Sequence, residues 1–261
     1  MKYRACFTLF SGMLMVLGGC SKRKEADSAQ ERNKETPASR LATTSATQPV
    51  IGGAQEEITA LIQGLQSDDA AARKGAIRAL AKIARTSSPA LIRAVPALIG
   101  ALTDDERFVR NGAAYVLAEI GPRAKMAVPA VIKALEEVLA DEDVDGFAFD
   151  FLVAFLGRIG PDAKDAVPAL IKALKCEDWT VRLGASRALG KIGPAAKAAV
   201  PTLMETLNDN NKNVRIRTAA ALGNIGPNAE IAVPALAKAL KDKDPDVRRE
   251  AARALKLIQH D

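Results

Sequence analysis

Histidine is nearly missing from this 261-residue chain: there is one, His260, next to the last residue. Ser-His-Asp and Cys-His nucleophile arrangements would have to be built on that position, because each needs an imidazole within hydrogen-bond reach of the nucleophile. The sequence therefore reads as a binding protein, not an enzyme. Aromatic residues make up 4% of the chain and there is one tryptophan, Trp179. With Ala, Leu, Ile and Val abundant, this composition suits helices that pack closely on small side chains. Cysteine is scarce as well. Cys6 lies in an apolar leader, Cys20 at its end, and Cys176 alone in the body, so a mature monomer has no internal disulfide. Glu177 and Asp178 beside Cys176 raise a thiol pKa, which makes that cysteine a poor nucleophile. The net charge of +6 suggests nucleic acid, but it does not survive partition. Residues 56–261 hold 29 bases and 27 acids. A near-neutral body is a poor electrostatic footprint for DNA or RNA.

The first twenty residues read as an address. Lys2 and Arg4 precede the apolar run Ala5 to Leu17, which is too short to span a bilayer as a helix. Leu17-Gly18-Gly19-Cys20 then resembles the bacterial lipobox. That resemblance implies cleavage before Cys20, lipidation of its sulfur, and a protein anchored in the cell envelope, facing the periplasm or the exterior. Residues 1–19 are the expected signal peptide. Residues 20–55 carry six bases and four acids among Ser, Thr, Ala and Gln, with Pro37, Pro49 and Gly52-Gly53, and show no apolar period. Such a segment buries too little surface to offset its ordering entropy, and it reads as a disordered tether.

From residue 56 the sequence repeats. Ile-Gly-Pro occurs at 120–122, 159–161, 192–194 and 225–227, and Val-Pro at 95–96, 128–129, 167–168, 200–201 and 233–234. A fixed period of this kind marks stacked supersecondary units. In repeat 4, Val167, Leu170, Ile171 and Leu174 lie on one face of a first helix that must start or kink at Pro168. Asp178 stands where a second helix needs its N-cap. Val181, Ala185, Ala188, Leu189 and Ile192 form the buried stripe of that helix, and Gly193-Pro194 ends it through a left-handed glycine. Cap and arginine recur four residues apart as Asp69/Arg73, Glu106/Arg110, Asp178/Arg182, Asn211/Arg215 and Asp244/Arg248. Stacking puts each arginine within reach of acids or carbonyls of a neighbouring repeat, so these read as structural ladder residues.

The units Val-Pro-Ala-Leu, Asp-x-x-Val-Arg, Ala-Leu-Gly-x-Ile and Gly-Pro resemble HEAT-like repeats of the phycobilisome-lyase type. The resemblance covers 56–261 and implies an all-α fold: a right-handed α-solenoid of about six helix pairs. Some relatives in that family hold metal through His-Glu pairs. None occurs here, so that activity does not carry over. The family lines its concave side with the second helices, whose outward positions here include Arg78, Tyr115, Arg187 and Arg253.

Repeat 3 departs from the rest. Ile120 and Ile159 are 39 residues apart, and 136–150 contains seven acids and no base. Phe147, Phe149, Phe151 and Phe155 follow, with Phe149 in the arginine column and Trp179 at the matching edge of repeat 4. An acidic loop beside an aromatic edge reads as a partner-binding surface, with Asp141, Asp143, Asp145, Phe147, Trp179 and Arg187 as its candidates. A tolerated insertion with Phe filling core volume is the alternative. Asp141-Glu142-Asp143-Val144-Asp145-Gly146 also fits the first half of an EF-hand loop, so calcium on Asp141, Asp143 and Asp145 is a further alternative. The match fails at the twelfth position, Leu152, and Asp145 falls where a helix cap belongs. The expected function is a membrane-tethered scaffold for a protein partner, with no cofactor and no nucleic acid. An enzyme-accessory role and a calcium- or ligand-binding module at repeat 3 stand as alternatives.

Overall fold

The computed structural model describes residues 51–86, 88–141 and 144–259. The leader, Cys20, the tether up to residue 50, Asp143 and His260 lie outside the described residues. Every regular element among the described residues is helical. Six pairs follow in chain order: α1 (Ile51–Leu65) with α2 (Ala70–Ala84), α3 (Val95–Ala101) with α4 (Arg107–Ile120), and α5 (Val128–Ala140) with α6 (Gly146–Ile159). Then come α7 (Val167–Ala173) with α8 (Trp179–Ile192), α9 (Val200–Thr206) with α10 (Lys212–Ile225), and α11 (Val233–Ala239) with α12 (Pro245–Gln259). The first helix begins at Ile51, five residues ahead of the boundary that composition suggests. Gly52-Gly53 has poor helix propensity and hides that start from a sequence reading.

Each pair closes on itself, and the second helices α2, α4, α6, α8, α10 and α12 stack in order, each against the next. Side chains at equivalent positions make the core a set of columns. Leu117, Leu156, Leu189 and Leu222 are all fully buried, one per repeat. Small residues let the second helices approach. A Cβ built on Gly190 would stand 3.0 Å from the Cα of Ala221, and one on Gly223 would stand 2.9 Å from the Cα of Ala254.

The turn after each of α4, α6, α8 and α10 runs through Gly-Pro into a short 3-10 segment before the next first helix. Gly193 has the positive φ expected of it, 67°, but its ψ of −138° lies outside the left-handed helical region. That part of backbone space is essentially open only to glycine. The chain needs it because it continues directly into the 3-10 segment Gly193–Ala199. Proline then sits in the first turn of that segment, where a missing N–H costs nothing.

The acidic loop of repeat 3 is shorter than the sequence suggests. α5 runs 13 residues where α7 has seven, so Glu136 and Glu137 are helical. Asp150 is helical too, inside α6. The extension follows from the sequence: Val131, Leu135 and Val138 keep the helical apolar period going past the point where the other first helices stop. Only residues 141–145 separate α5 from α6.

Candidate interaction edge

One long edge of the stack is formed by the N-terminal ends of the second helices. It is stapled by the arginine column. Arg73 donates from Nε to Asp104 at 2.8 Å and from Nη2 at 3.3 Å. Arg182 does the same to Asp209 at 2.5 and 3.0 Å, and Arg215 to Asp242 at 2.8 and 2.9 Å. In every case the carboxylate belongs to the next repeat. The remaining nitrogen, Nη1, donates to two carbonyls of the arginine's own loop: Cys176 and Glu177 for Arg182, Asp209 and Asn210 for Arg215. The bidentate fork fixes both distance and orientation between repeats. Hydrogen bonding from Arg215 holds the Asp242 carboxyl below its usual range. For Asp209, burial pushes the other way and is overcome by Arg182 and the Asn211 N–H.

A second set of contacts links the caps. Lys74 meets Glu106 at 2.8 Å, Arg107 meets Asp145 at 2.5 Å and Lys212 meets Asp244 at 3.0 Å. Asp69, Asp145, Asp178 and Asn211 accept backbone N–H bonds as helix caps. Glu106 sits at the cap position of α4 without making that bond.

The junction between repeats 3 and 4 differs. Phe149 takes the arginine position, and Cys176 stands where repeats 2, 5 and 6 have Asp104, Asp209 and Asp242. No ion pair joins repeats 3 and 4 among the described residues. The contact is apolar: Phe149 is buried, and a Cβ on Gly184 would stand 2.8 Å from its Cε1. The Cys176 thiol is raised above its usual pKa, mainly by burial, with Asp178 adding to the effect and Arg182 opposing it.

Of the residues read from the sequence, Phe147 and Trp179 lie exposed on this edge, at 38% and 41%. They sit in the first turns of α6 and α8. Phe149 and Phe155 are core residues, and Phe151 packs edge-on against Tyr115 at 5.4 Å. Asp141 is exposed on the same edge. Asp145 is committed to structure: one oxygen caps the Phe147 and Ala148 N–H groups, and the other accepts from Arg107 and Asn111. Those bonds outweigh burial and hold its carboxyl below the usual range. No cluster of three or more His, Cys, Asp or Glu able to hold a metal occurs among the described residues. Arg187 is exposed on α8, where its charge acts on Asp150.

Several cations on the second helices have partners within the chain. Arg78 lies over the Phe108 ring at 4.9 Å, Arg158 pairs with Glu119, and Arg253 with Glu250. Phe108 itself is a ring that sequence reasoning passed over. It is 36% exposed in the first turn of α4. Its signal was present: Phe108 and Phe147 hold the same position, two residues after their caps.

Three consecutive repeats therefore put an exposed ring on one edge: Phe108, Phe147 and Trp179. At about 10 Å between neighbouring helices, the rings span about 20 Å. Exposed carboxylates surround them, Asp105, Asp141 and Glu177 among them.

A family model for HEAT repeats matches residues 58–148, 151–209 and 200–261. The chain belongs to the HEAT-repeat family. A search of curated proteins returns no match. Among solved structures, an engineered protein is 30% identical, with a TM-score of 0.60 over 77% of this chain and 96% of its own. A second engineered protein is 26% identical, with a TM-score of 0.61 over 77% and 98%. A designed armadillo repeat protein in complex with the peptide (KR)4 is 21% identical, with a TM-score of 0.64 over 77% and 99%. This HEAT-repeat chain shares with them an all-helical repeat solenoid, a scaffold suited to protein–protein interaction.

Proposed function

We propose that this HEAT-repeat protein is an envelope-anchored scaffold that presents the edge of repeats 2–4 to a basic segment of a protein partner. The observation that carries the reading is the row Phe108, Phe147 and Trp179 set among exposed carboxylates. The rings sit in the first turns of three consecutive second helices, α4, α6 and α8, and so form a row along one edge. Rings take the aliphatic stems and charges of Lys and Arg through cation–π contact, and the surrounding acids steer those groups inward.

Trp179 is the one tryptophan in the chain, so its emission reports binding directly. A short Lys-Arg repeat peptide is expected to shift that emission, and added salt to weaken the effect. Phe147→Ala should weaken binding about tenfold at all salt concentrations, as loss of a central aromatic contact does. Charge reversal at Asp141 should weaken it chiefly at low salt. An unshifted emission, or an affinity indifferent to both changes, overturns the assignment of this edge.

The anchor rests on the lipobox ending in Cys20. Cys20→Ser should release the protein from membranes or leave an uncleaved precursor, read by detergent partitioning and intact mass. Identical partitioning and mass in that variant would remove the tether from the proposal.

A further inference from the structure

The two long edges of the stack carry opposite charge. The loops inside the pairs, at 66–69, 102–106, 141–145, 174–178, 207–211 and 240–244, hold 14 acids and three bases. They lie on the edge that bears the rings. The segments that join one pair to the next, at 85–94, 121–127, 160–166, 193–199 and 226–232, form the opposite edge and hold six bases and three acids. The near-neutral total of the body hides this separation, because the two kinds of connection alternate along the chain and part only when the pairs stack.

Three of those bases form a row. Lys125, Lys164 and Lys197 are the fifth residues of consecutive 3-10 segments, Gly121–Ala127, Gly160–Ala166 and Gly193–Ala199, and all three are exposed. Their backbone is fixed in one way: the carbonyl of each accepts the N–H of the valine that opens the next helix. At about 10 Å between neighbouring repeats, the row spans about 20 Å. Apolar side chains flank it. Met126 and Ile231, each sixth in its segment, are both 62% exposed, more than any other large apolar side chain among the described residues. Ile92 is 43% exposed in the first segment, Pro89–Ala94. Three repeats, or about 30 Å, separate Met126 from Ile231.

Cations in a row with apolar tips around them match an anionic lipid surface. Headgroup phosphates attract the lysines, and Met and Ile side chains gain by leaving water for the headgroup layer. A continuous anionic surface meets widely spaced cations without having to match them one by one, as the acids of a folded partner would. The same surface repels the acidic edge, so the charge separation turns the body one way round. Asp165 and Glu230 dilute the basic edge. It therefore orients a protein already held at a bilayer, more than it recruits one from solution. We propose, on the reading that the protein is envelope-anchored, that this edge lies on an anionic bilayer with Met126 and Ile231 in the headgroup layer, and that the ring-bearing edge thereby faces away from the membrane.

The test uses the full chain on vesicles of phosphatidylcholine with about 30% phosphatidylglycerol, which supplies the anionic surface. The lipids are brominated near the top of the acyl chains, so that they quench indoles seated there. Trp179, on the far edge, should lose less than about a tenth of its emission. Met126→Trp and Ile231→Trp, each made together with Trp179→Phe, report the near edge. Each should lose about half of its emission, as side chains at the boundary of headgroups and acyl chains do. Combined Lys125→Glu, Lys164→Glu and Lys197→Glu should return both reporters to the level of Trp179, and so should vesicles without phosphatidylglycerol. Flotation of the same samples reads the anchor separately. A chain that floats with the indoles at 126 and 231 unquenched overturns the edge and leaves the anchor standing. A chain that does not float refutes the anchor. The indoles are then read at low salt on pure phosphatidylglycerol, where charge is least screened and the edge must bind unaided, and no quenching there overturns the edge too. Equal quenching of Trp179, or quenching at one tip alone, overturns the orientation. So does an indole at 126 that answers an acidic Glu-Asp peptide and not the vesicles, which would make this edge a protein-binding one.

Discussion

Arg215→Ala is expected to destabilise the junction between repeats 5 and 6 by about 3 kcal/mol, the scale seen when one partner of a buried pair is removed. The Arg215 side chain is 5% exposed and Asp242 is 14% exposed, so water cannot replace what is lost. Asp242 would remain largely covered opposite an apolar stub, and the carbonyls of Asp209 and Asn210 would lose their donor. In a one-dimensional stack the damage stays local, so α11 and α12 should lose hydrogen-exchange protection well before α4 and α6. Uniform loss across the stack would show that the six repeats unfold as one unit. The same pair sets an acid limit. Because Arg215 lowers the Asp242 pKa in the folded state, its contribution is fully present above the ordinary carboxylate value near 4. It fades as pH falls through that value toward the lower folded one. Wild type should therefore lose stability steeply below about pH 4, and Arg215→Ala less steeply.

Gly223→Ala is expected to destabilise by about 1–3 kcal/mol, although alanine is the better helix former. The added methyl would stand 2.9 Å from the Cα of Ala254, which is backbone and cannot swing away. Neighbouring second helices would have to separate. Gly75 is the control. It lies in the middle of α2, and a Cβ there meets nothing within 4 Å. Gly75→Ala should therefore stabilise by about 0.5–1 kcal/mol, the ordinary gain of alanine over glycine in a helix. Chemical denaturation of the two variants should show opposite signs. Equal signs would mean that propensity, not the approach of α10 and α12, governs these positions.

The repeat, the caps and the arginine column were legible because each rests on short-range spacing. Val-Pro, the cap four residues before Arg and Gly-Pro all fall within one repeat. The acids that receive the arginines were harder to see. Asp209 serves Arg182 and Asp242 serves Arg215 from 27 residues downstream, two places ahead of the next cap. The pattern is in the sequence, but it becomes a pair only when the repeats stack. The four phenylalanines of repeat 3 show a sharper limit. Composition groups them as one aromatic edge, while helical phase buries Phe149 and Phe155 and leaves Phe147 exposed. The extra turns of α5 were hidden as well, because the acids of 136–150 read as loop although Val131, Leu135 and Val138 keep the helical period going.

The apolar seam between repeats 3 and 4 bears on how such a chain can grow. Duplicating repeat 5 in tandem preserves the arginine fork, because each copy offers an arginine forward and an aspartate backward. The same copy inserted between repeats 3 and 4 would set its arginine against Cys176, leaving a guanidinium with no acid to clamp, and its aspartate against Phe149. Lengthening by unequal recombination is thus open within repeats 4–6 and closed at the seam, which keeps Phe147 and Trp179 on adjoining repeats however long the array becomes.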